Sequence, residues 1–430
     1  DALYVSSNRL WRTRDRGNSW EVLSPDLTRA DPSTLGHAGG PITGDMNGPE
    51  VYATSFTVAP GKIDEDVIWT GSDDGLVHVT RDGGESWTNV TPPDMPDFGR
   101  VSLIDASAFD AGRAYMAVKL PLLNDQAPHI WKTEDLGQSW TKIVDGIKDR
   151  AFVHSVREDP TRPGLLYAAT NRGMYISYND GARWQELNPG FPDIPVTGLI
   201  VEDDALAIAS HGRGFWILDN LSPLRQARTG MTQEDVILFE PARALRSTDG
   251  AVISYWLKEA PESAKLEVVS ASGEVVRTLE PSLPGQGGGR WGSGSLPAEA
   301  GLNRLRWDLQ TDPAPTFPGM ILWGARTMSA TVPPGNYTLR LTVDGQVETT
   351  TVQVERNPWI PDVSDADLKA QYEFAREIQD KVAEANSAVI AIRRDYVQLE
   401  ERMEGSDDGR LRRTAEAFLD AASEVEANIY

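Results

Sequence analysis

Short segments in which apolar and polar residues alternate recur along the first half of the chain. Residues 67–72, 75–80 and 87–90 form one such group. The same order of segments recurs at 165–187 and, with an insertion, at 114–144. The segments are rich in β-branched residues, and alternation of this kind is typical of strands. The pattern therefore predicts successive groups of short antiparallel strands, so we expect a mainly β protein.

A turn sequence, Ser/Thr-x-Asp-x-Gly-x-x-Trp with Asn once in place of Asp, occurs four times. We call these segments the repeat turns: residues 13–20, 80–87, 133–140 and 177–184. The Asp or Asn accepts hydrogen bonds from its own turn, the Gly takes a positive φ, and the Trp packs under the hairpin. We therefore predict a structural role for the Asp or Asn, the Gly and the Trp of each turn. These residues are Asp15, Gly17, Trp20, Asp82, Gly84, Trp87, Asp135, Gly137, Trp140, Asn179, Gly181 and Trp184.

The repeat turns resemble the Asp-box, or BNR repeat, of β-propellers. Residues 67–76, 157–160 and 210–219 are also similar to the sortilin N-terminal type of bacterial propeller, which is often described as a BNR-repeat glycosyl hydrolase. The later segments resemble the tail that follows such propellers, so the resemblance covers nearly the whole chain. It implies an Asp-box β-propeller over residues 1–222.

The predicted strand groups give five blades at most. They are expected near residues 1–50, 51–97, 98–146, 147–192 and 193–222. The first blade would lack its initial strand, and the last would lack a repeat turn. Because propellers close with about 4–8 blades and closure removes free sheet edges, we expect a partial ring. Its missing blades would come from an upstream segment of a longer polypeptide or from another subunit. The alternative is a weakly patterned blade within 225–250, or a small closed ring.

The second half of the chain changes pattern. Residues 223–250 are rich in Pro and Arg and are expected to form a connector. Residues 251–356 alternate as in a β-sandwich of the fibronectin III or immunoglobulin-like kind. The strands predicted for this sandwich are 251–257, 265–270, 275–279, 302–308, 335–343 and 347–354.

Residues 357–430 are expected to form an α-helical hairpin. Ser364 and Asp367 make a capping box, with Asp in place of the usual Glu. Two apolar stripes with steps of three and four residues follow, separated by a turn at 405–409. We expect the stripes to face each other or the sandwich, with a partner helix as the alternative.

The formal net charge of −23 argues against binding to nucleic acid or to an anionic membrane. The 430 residues include no Cys, which excludes disulfides, thiolate catalysis and Cys-ligated metals. No apolar stretch approaches the roughly 18 residues of a membrane-spanning helix. The chain begins at Asp1 without Met, so we expect a processed or truncated start. Together with the resemblance, these features predict a secreted, periplasmic or cell-surface bacterial protein.

Glycoside hydrolysis requires two carboxylates that flank the scissile bond. Weak catalytic candidates are Asp73, Asp74 and Glu202, and Asp45 and Glu50 are also available. Asp73 and Asp74 lie between two predicted strands of one blade, where a plain turn is the alternative. Sialidases additionally use three Arg and a Tyr nucleophile, and no Arg spacing here identifies such a set. The resemblance to sialidases therefore ends at the repeat turns.

Cationic side chains on the predicted blades are candidates for ligand binding. His211 and Arg213 flank a flexible Gly after an apolar strand, which suits an anionic or glycan ligand. Arg157 and Arg172 are further candidates. The alternative is a turn in which these side chains satisfy neighbouring carbonyls and carboxylates.

No cofactor is expected from the distribution of the possible metal ligands. The five His are scattered and show no spacing typical of a transition-metal site. A calcium ion in an acidic loop at 64–66 or 203–204 is left open, with a solvated acidic turn as the alternative.

Three functions are compatible with these patterns. The first is a propeller protein that binds a protein, peptide or glycan, with the sandwich and hairpin as docking modules. The second is a glycoside hydrolase, sialidase- or xyloglucanase-like, that acts through a carboxylate pair in the central cleft. The third is a structural subunit of a larger extracellular assembly. Repetition without a recognisable catalytic set favours binding or assembly over catalysis.

Overall fold

A computed structural model describes residues 2–36, 51–188, 190–247, 250–281, 295–320, 329–405 and 408–429. It divides into two compact units, Asp1–Ala227 and Arg228–Tyr430. The candidate carboxylates Asp45 and Glu50 lie outside the described residues.

Among its described residues, the first unit contains five antiparallel sheets, in which each strand pairs with its neighbours in sequence. The first sheet is β1 (Leu3–Ser6), β2 (Leu10–Thr13) and β3 (Glu21–Val22). The second is β4 (Ser55–Pro60), β5 (Ile68–Ser72), β6 (Val77–Thr80) and β7 (Thr88–Asn89). The third is β8 (Arg100–Ala106), β9 (Ala114–Leu120), β10 (Asp125–Thr133) and β11 (Thr141–Lys142). The fourth is β12 (Val153–Glu158), β13 (Leu166–Thr170), β14 (Gly173–Ser177) and β15 (Gln185–Leu187). The fifth is β16 (Val196–Glu202), β17 (Ala205–Ser210) and β18 (Phe215–Asp219). A 3₁₀ turn (Pro121–Leu123) follows β9, and helix α1 (Ser222–Gln226) follows β18.

Successive sheets pack face to face around shared apolar cores. Trp69 of the second sheet and Met116 of the third belong to one core. Tyr115 of the third sheet and Ala168 of the fourth belong to the next. The first strands of the second to fifth sheets contact one another in the order β4, β8, β12 and β16. Stacked four-stranded sheets with adjoining first strands are the arrangement of a β-propeller, so we call the sheets blades and these four strands the inner strands.

The repeat turns show which strands the two terminal blades contain. In the second, third and fourth blades, the repeat turn joins the third strand to the fourth, whereas in the first blade it joins β2 to β3. The first blade therefore corresponds to strands two to four of a complete blade. The fifth blade, β16–β18, corresponds to strands one to three, within the described part of the chain.

Each repeat turn is closed by its acidic or amide side chain. Asp82 accepts hydrogen bonds from the Ser86 N–H at 2.9 Å and from the Thr80 hydroxyl at 2.7 Å. The Thr80 oxygen in turn accepts the Gly84 N–H at 2.9 Å. Gly83 and Gly84 both have positive φ, 70° and 107°. The second of these left-handed positions is Gly in all four repeat turns, whereas the first is occupied by Arg16, Leu136 and Asp180 in the other three, so it is the second position that favours Gly.

The turn Trp contacts the preceding blade rather than only its own hairpin. The indole N–H of Trp87 donates to the Leu23 carbonyl at 2.9 Å. Trp140 donates to the Val90 carbonyl at 2.7 Å, and Trp184 donates to that of Ile143 at 2.9 Å. The accepting residue is always the third after the Trp of the preceding blade. The repeat turns therefore hold neighbouring blades together as well as closing hairpins.

The repeat turns are expected to make the stability of the first unit depend on pH below about 4. Hydrogen bonds from Ser86 and Thr80 lower the pKa of Asp82 to about 2. Because this pKa lies below that of the unfolded chain, the stabilisation is present above about pH 4 and is lost as the pH falls through 2. Asp82→Asn should weaken this acid dependence in urea titrations between pH 5 and 2. Glu85→Gln, an exposed change in the same turn, is the control and should leave the dependence unchanged.

The second unit is a β-sandwich followed by a helical hairpin. Its strands are β19 (Val236–Leu238), β20 (Ala244–Leu245), β21 (Ala251–Leu257), β22 (Ala264–Val269), β23 (Val275–Leu279), β24 (Gly301–Trp307), β25 (Gly335–Val343) and β26 (Gln346–Glu355). The described residues form sheets of order β19-β21-β24 and β20-β26-β25-β22-β23. Ile253 and Leu305 of one sheet share a core with Leu266 and Leu339 of the other. The segment predicted as a connector thus contains a 3₁₀ turn (Met231–Gln233) and one strand of each sheet.

Helices α2 (Asp365–Glu404) and α3 (Gly409–Ile429) form the hairpin. The predicted capping box is present: the Ser364 hydroxyl accepts the Asp367 N–H, and Asp367 accepts the Ser364 N–H at 3.0 Å. The buried Gln379 of α2 bonds to Thr311 beside the sandwich at 3.0 Å. Tyr396 of α2 donates to the Leu419 carbonyl of α3 at 2.6 Å. Helix α2 therefore contacts both the sandwich and helix α3. The predicted fold class is confirmed: a mainly β chain with propeller blades, a sandwich and a C-terminal helical hairpin.

Candidate functional site

The first unit has two faces, and different connecting segments lie on each of them. Because the strands of a blade are antiparallel, the start of each inner strand lies beside the end of the second strand of the same blade. In the third blade, for example, Arg100 pairs with Lys119. The turns after the second strands and the segments before the inner strands therefore meet on one face, which we call the loop face. The repeat turns follow the third strands and lie on the opposite face. Their Asp and Asn side chains are thus remote from any site on the loop face.

A pocket of about 360 Å³ opens on the loop face between the second and third blades. We call it the loop-face pocket. The described residues that line it are Thr34, Tyr52, Asp73, Phe98, Arg100, Lys119, Leu120, Pro121, Leu122 and Leu123. They combine an apolar wall with two cations and one carboxylate.

Asp73 is the carboxylate of this pocket, and its side chain is largely buried. It accepts the Thr54 N–H at 2.8 Å. Burial raises its pKa and the neighbouring Asp74 carboxylate adds to the increase, against the opposing effects of the Thr54 hydrogen bond and Arg100. A carboxyl group with a raised pKa in a cleft is suited to proton transfer or to polar contact with a ligand.

Asp74 has a structural role in the same turn. Its two oxygens accept the Ser72 hydroxyl at 2.6 Å and the Arg29 N–H at 2.8 Å. Gly75, at φ +92°, brings its backbone against Gly99 of the segment before the third blade. Asp74 therefore closes the turn, and of the predicted acidic candidates in the described residues only Asp73 lines the pocket.

The cations of the pocket come from the third blade. The Arg100 guanidinium lies over the Phe56 ring at 5.1 Å. The Lys119 ammonium is 3.0 Å from His154 Nδ1 of the fourth blade. Since a Lys ammonium has no acceptor, the His154 nitrogen accepts and the ring is neutral. Burial, assisted by the Lys119 and His211 charges, lowers the pKa of His154 to about 4.

The described residues offer Arg100 and Lys119 no ion-pair partner. Within the described residues, no carboxylate lies within salt-bridge distance of Arg100 or Lys119. Burial, and then the Arg100 charge, lowers the pKa of Lys119. Among the described lining residues, the pocket therefore carries two cations against the single carboxylate of Asp73, on a chain whose net charge is negative. Such a region suits an anionic group, which would supply the missing counter-charge.

The backbone around the pocket is strained at non-glycine residues. Phe98 has φ 60°, Ala53 has φ 64°, and Asn124 has φ 61°. Left-handed backbone is uncommon outside glycine, and such residues cluster at binding and catalytic sites. Beside them, the side chains of Leu122 and Leu123 are exposed to solvent. This part of the loop face therefore combines left-handed non-glycine backbone with exposed apolar side chains.

The other residues predicted to bind a ligand or to act in catalysis are divided between the two faces. His211 and Arg213 lie in the exposed turn between β17 and β18 on the loop face, and His211 acts electrostatically on His154. Arg172 also lies on this face but pairs with Asp193 at 3.0 Å. Arg157 lies near the opposite end of its inner strand. Glu202 is likewise at the far end of β16.

Arg157 belongs to a structural ion-pair network. It bonds the buried Asp105 at 2.8 Å, and Lys62 bonds the same oxygen at 3.1 Å. The other Asp105 oxygen accepts the Glu158 N–H at 2.9 Å. These bonds link the inner strands of the third and fourth blades to each other and to the segment that follows β4 of the second blade, so Arg157 is occupied in holding the blades together.

Sequence reasoning did not single out Lys119, His154, Tyr52 or Phe98. One signal was present: Lys119 stands near the end of an otherwise apolar strand, β9, where a charge is unusual. His154 gave no such signal, because its role depends on a neighbour in another blade. Pairs of this kind follow from blade packing, which the local pattern does not contain.

No group of three or more Asp, Glu or His side chains among the described residues is arranged to hold a metal ion. In the two acidic loops, Asp64 accepts the Asp66 N–H within its own turn at 3.0 Å, and Asp204 pairs with Arg225 at 3.1 Å. None of the helices in the described part of the chain combines the length and the apolar character needed to cross a bilayer.

No protein-family profile matches the chain, and no curated protein is found to match its sequence. Among solved structures it is similar to "YCF48 bound to D1 peptide", with 19% identity, 61% of this chain and 74% of that chain covered, and a TM-score of 0.33. It is also similar to the GH74 xyloglucanase from Xanthomonas campestris, with 16% identity, coverage of 82% and 62%, and a TM-score of 0.38. An ancestral GH74 enzyme gives 12% identity, coverage of 81% and 51%, and a TM-score of 0.38. The chain thus spans less than two thirds of either GH74 protein, and likenesses this slight assign no function.

Proposed function

We propose that this protein is an extracytoplasmic propeller of the Asp-box type that binds a peptide or protein ligand in the loop-face pocket. The observation that carries the proposal is the pair of cations, Arg100 and Lys119, beside the exposed Leu122 and Leu123. A carboxylate on the ligand would face the cations, and an apolar side chain would cover the leucines. A peptide with a free C-terminal carboxylate next to an apolar residue presents both groups together.

The apolar part of the pocket accounts for a peptide rather than a free inorganic anion. Phe98, Tyr52 and Leu120 line the same cavity as Arg100. Ligand sites are generally apolar clefts with a few polar groups that fix orientation. Here the cations would orient the carboxylate, and Asp73 would receive a hydrogen-bond donor such as a peptide N–H. Affinity would then depend on both the charge and the apolar side chain.

The test compares short peptides that differ only at their C-terminus. Peptides ending in Leu or Phe, with either a free carboxylate or an amide, are titrated into the full chain by calorimetry. The free acids are expected to bind more tightly, and Arg100→Gln should weaken that binding about tenfold or more, because a hydrogen bond to a charged group contributes about 1.5–3 kcal/mol.

The matched control is Arg183→Gln on the opposite face, where Arg183 pairs with the exposed Asp145. This variant removes the same charge and should leave the affinity unchanged. Equal affinity for the acid and the amide peptides, or an equal effect of the two Arg changes, would contradict the proposal.

Glycoside hydrolysis is the second candidate, and the raised pKa of Asp73 is the observation that favours it. A general acid needs such a carboxyl group, but it also needs a second carboxylate across the scissile bond. Asp73 is the one carboxylate that lines the pocket within the described ranges. Release of reducing sugar from a panel of β-glucans, abolished by Asp73→Asn, would establish this alternative instead of binding.

A further inference from the structure

One face of the first blade is apolar and exposed. Cross-strand register places Val5, Trp11 and Val22 on this face, together with Leu3. Leu3 is 56% exposed and Val5 is 48% exposed. Leu10 is on the other face and is buried. The exposed face therefore points away from the second blade.

The corresponding positions in the other blades are covered. Aligned on the repeat turns, Leu3 and Val5 correspond to Ala114 and Met116 in the third blade, which pack on the second blade. Both of those residues have 0% exposure. The equivalent residues of the second and fourth blades are also buried: Ile68, Thr70, Leu166 and Ala168. In this fold, the face with Leu3 and Val5 is thus the one that a preceding blade covers.

The interfaces between the first and second, the second and third, and the third and fourth blades contain the same small socket. It is formed by the Gly and Trp of a repeat turn, and it receives an aliphatic residue at the end of the preceding blade. A Cβ added to Gly137 would come within 2.7 Å of Val90, and one added to Gly84 within 3.0 Å of the Leu23 carbonyl. The carbonyl of the received residue accepts the turn Trp, as where Trp140 donates to Val90 at 2.7 Å.

The socket of the first blade receives nothing among the described residues. A Cβ at Gly17 would meet only the indole of its own turn, Trp20 Cζ2, at 3.9 Å. Trp20 is 40% exposed, and its N–H has no acceptor in the described part of the chain. The rest of the turn is complete, because Asp15 accepts the Ser19 N–H at 2.9 Å. The socket is therefore formed, and none of the described residues occupies it.

We propose that the face formed by Leu3, Val5, Trp20 and Val22 binds a further propeller blade. That blade would end its outer strand in an aliphatic residue whose carbonyl accepts the Trp20 N–H. Three interfaces of the same kind within this chain show what such a blade would need. It would present an apolar sheet face and carry a Leu, Val or Ile at the third position after its turn Trp. The inference is independent of the ligand proposed for the loop-face pocket.

A second copy of this chain fits the socket poorly. The fifth blade has no fourth strand in the described residues, so it offers no residue equivalent to Leu23, Val90 or Ile143. Leu187 of the fourth blade already lines a pocket with Trp216 of the fifth. The net charge of −23 also opposes self-association. The blade is therefore expected to come from residues other than those described.

The test adds such a blade to the chain. A copy of residues 51–112, which holds the second blade and the next inner strand, is joined ahead of Ala2. The copied Val90 would then enter the Gly17 socket, and the copied inner strand would pair with β1. Because the chain has no Cys, Val5→Cys gives a single site for thiol labelling. Its labelling rate is expected to fall at least tenfold when the copy is present.

Two controls make the result specific. Val347→Cys, on an exposed strand of the second unit, should label at the same rate with and without the copy. Val90→Asp in the copy alone should restore fast labelling of Val5→Cys. An unchanged rate for Val5→Cys beside a folded copy would overturn the proposal.

Two further outcomes would also overturn it. In the first, hydrogen exchange shows two mass envelopes for peptides from 51–112, because one copy of this segment is protected and the other is not. The added copy would then be unfolded, and the face would not support a blade. Slower labelling of Val5→Cys in the unextended chain at higher protein concentration, with a dimer seen by light scattering, would identify a second copy as the occupant.

Discussion

Gly137→Ala is expected to destabilise the first unit by about 1–3 kcal/mol more than Gly17→Ala. Both glycines occupy the same position of a repeat turn, with φ of 82° and 93°, so the backbone strain of an added Cβ is similar. At Gly137 the new methyl would also lie 2.7 Å from Val90 Cβ and 2.8 Å from Cγ2, in a sheet interface with little freedom to relax. At Gly17 it would meet only Trp20 at 3.9 Å.

The comparison requires urea unfolding curves of both variants, with the transition of the first unit followed by Trp fluorescence. The slope of each curve should match that of the parent chain, so that the shift in midpoint measures stability. Gly137→Ala should have the lower midpoint. Equal midpoints would mean that the contact with Val90 adds nothing to the loss of stability, and that backbone strain alone accounts for it.

Arg225→Ala is expected to destabilise the first unit by about 3–5 kcal/mol. Arg225 of α1 donates through Nε to both oxygens of Asp159, at 2.9 and 3.1 Å, and through Nη1 to Asp204 at 3.1 Å. Asp159 is fully buried, and its other side-chain partners are Thr161 and Tyr167. Loss of the guanidinium would leave a buried carboxylate without its counter-charge, which is the costly case for an ion pair.

Arg183→Ala is the matched control, because Arg183 pairs with Asp145 at 3.3 Å on the surface. Exposed pairs of this kind contribute about 0–1 kcal/mol. The double variant Arg225→Ala with Asp159→Asn should recover part of the lost stability, since the buried charge is removed as well. Thermal and urea unfolding of the variants would check this order. A loss for Arg225→Ala no larger than that for Arg183→Ala would contradict it.

Much of the fold follows from local patterns in the sequence. The alternation at 251–257 and 335–343 predicts strands with the bounds that the structure shows, Ala251–Leu257 and Gly335–Val343. The capping box at Ser364 predicts the start of α2. Strands β19 and β20 were not predicted, because elements of two or three residues are too short to show a period.

The candidate site follows from the sequence only in part. Asp73 was a candidate because it stands in a turn between strands, and the structure places it in a pocket. Its neighbours Arg100 and Lys119 come from the next blade, and His154 comes from the one after. Their proximity depends on the packing of three blades, which no local pattern encodes. The Trp of the repeat turn was expected under its own hairpin, and its bond to the preceding blade was likewise not apparent.

The bonds from each turn Trp to the preceding blade also bear on how the first unit unfolds. Trp87, Trp140 and Trp184 each connect one blade to a single neighbour. A structure coupled in this way behaves as a linear array whose stability is a sum of blade terms and nearest-neighbour terms. In the described part of the chain, the third blade packs against a blade on each side, whereas the first and fifth each pack against one. Thermal fraying should therefore start at the two ends and reach the third blade last, so the parts most exposed to proteases are those that another blade would shield.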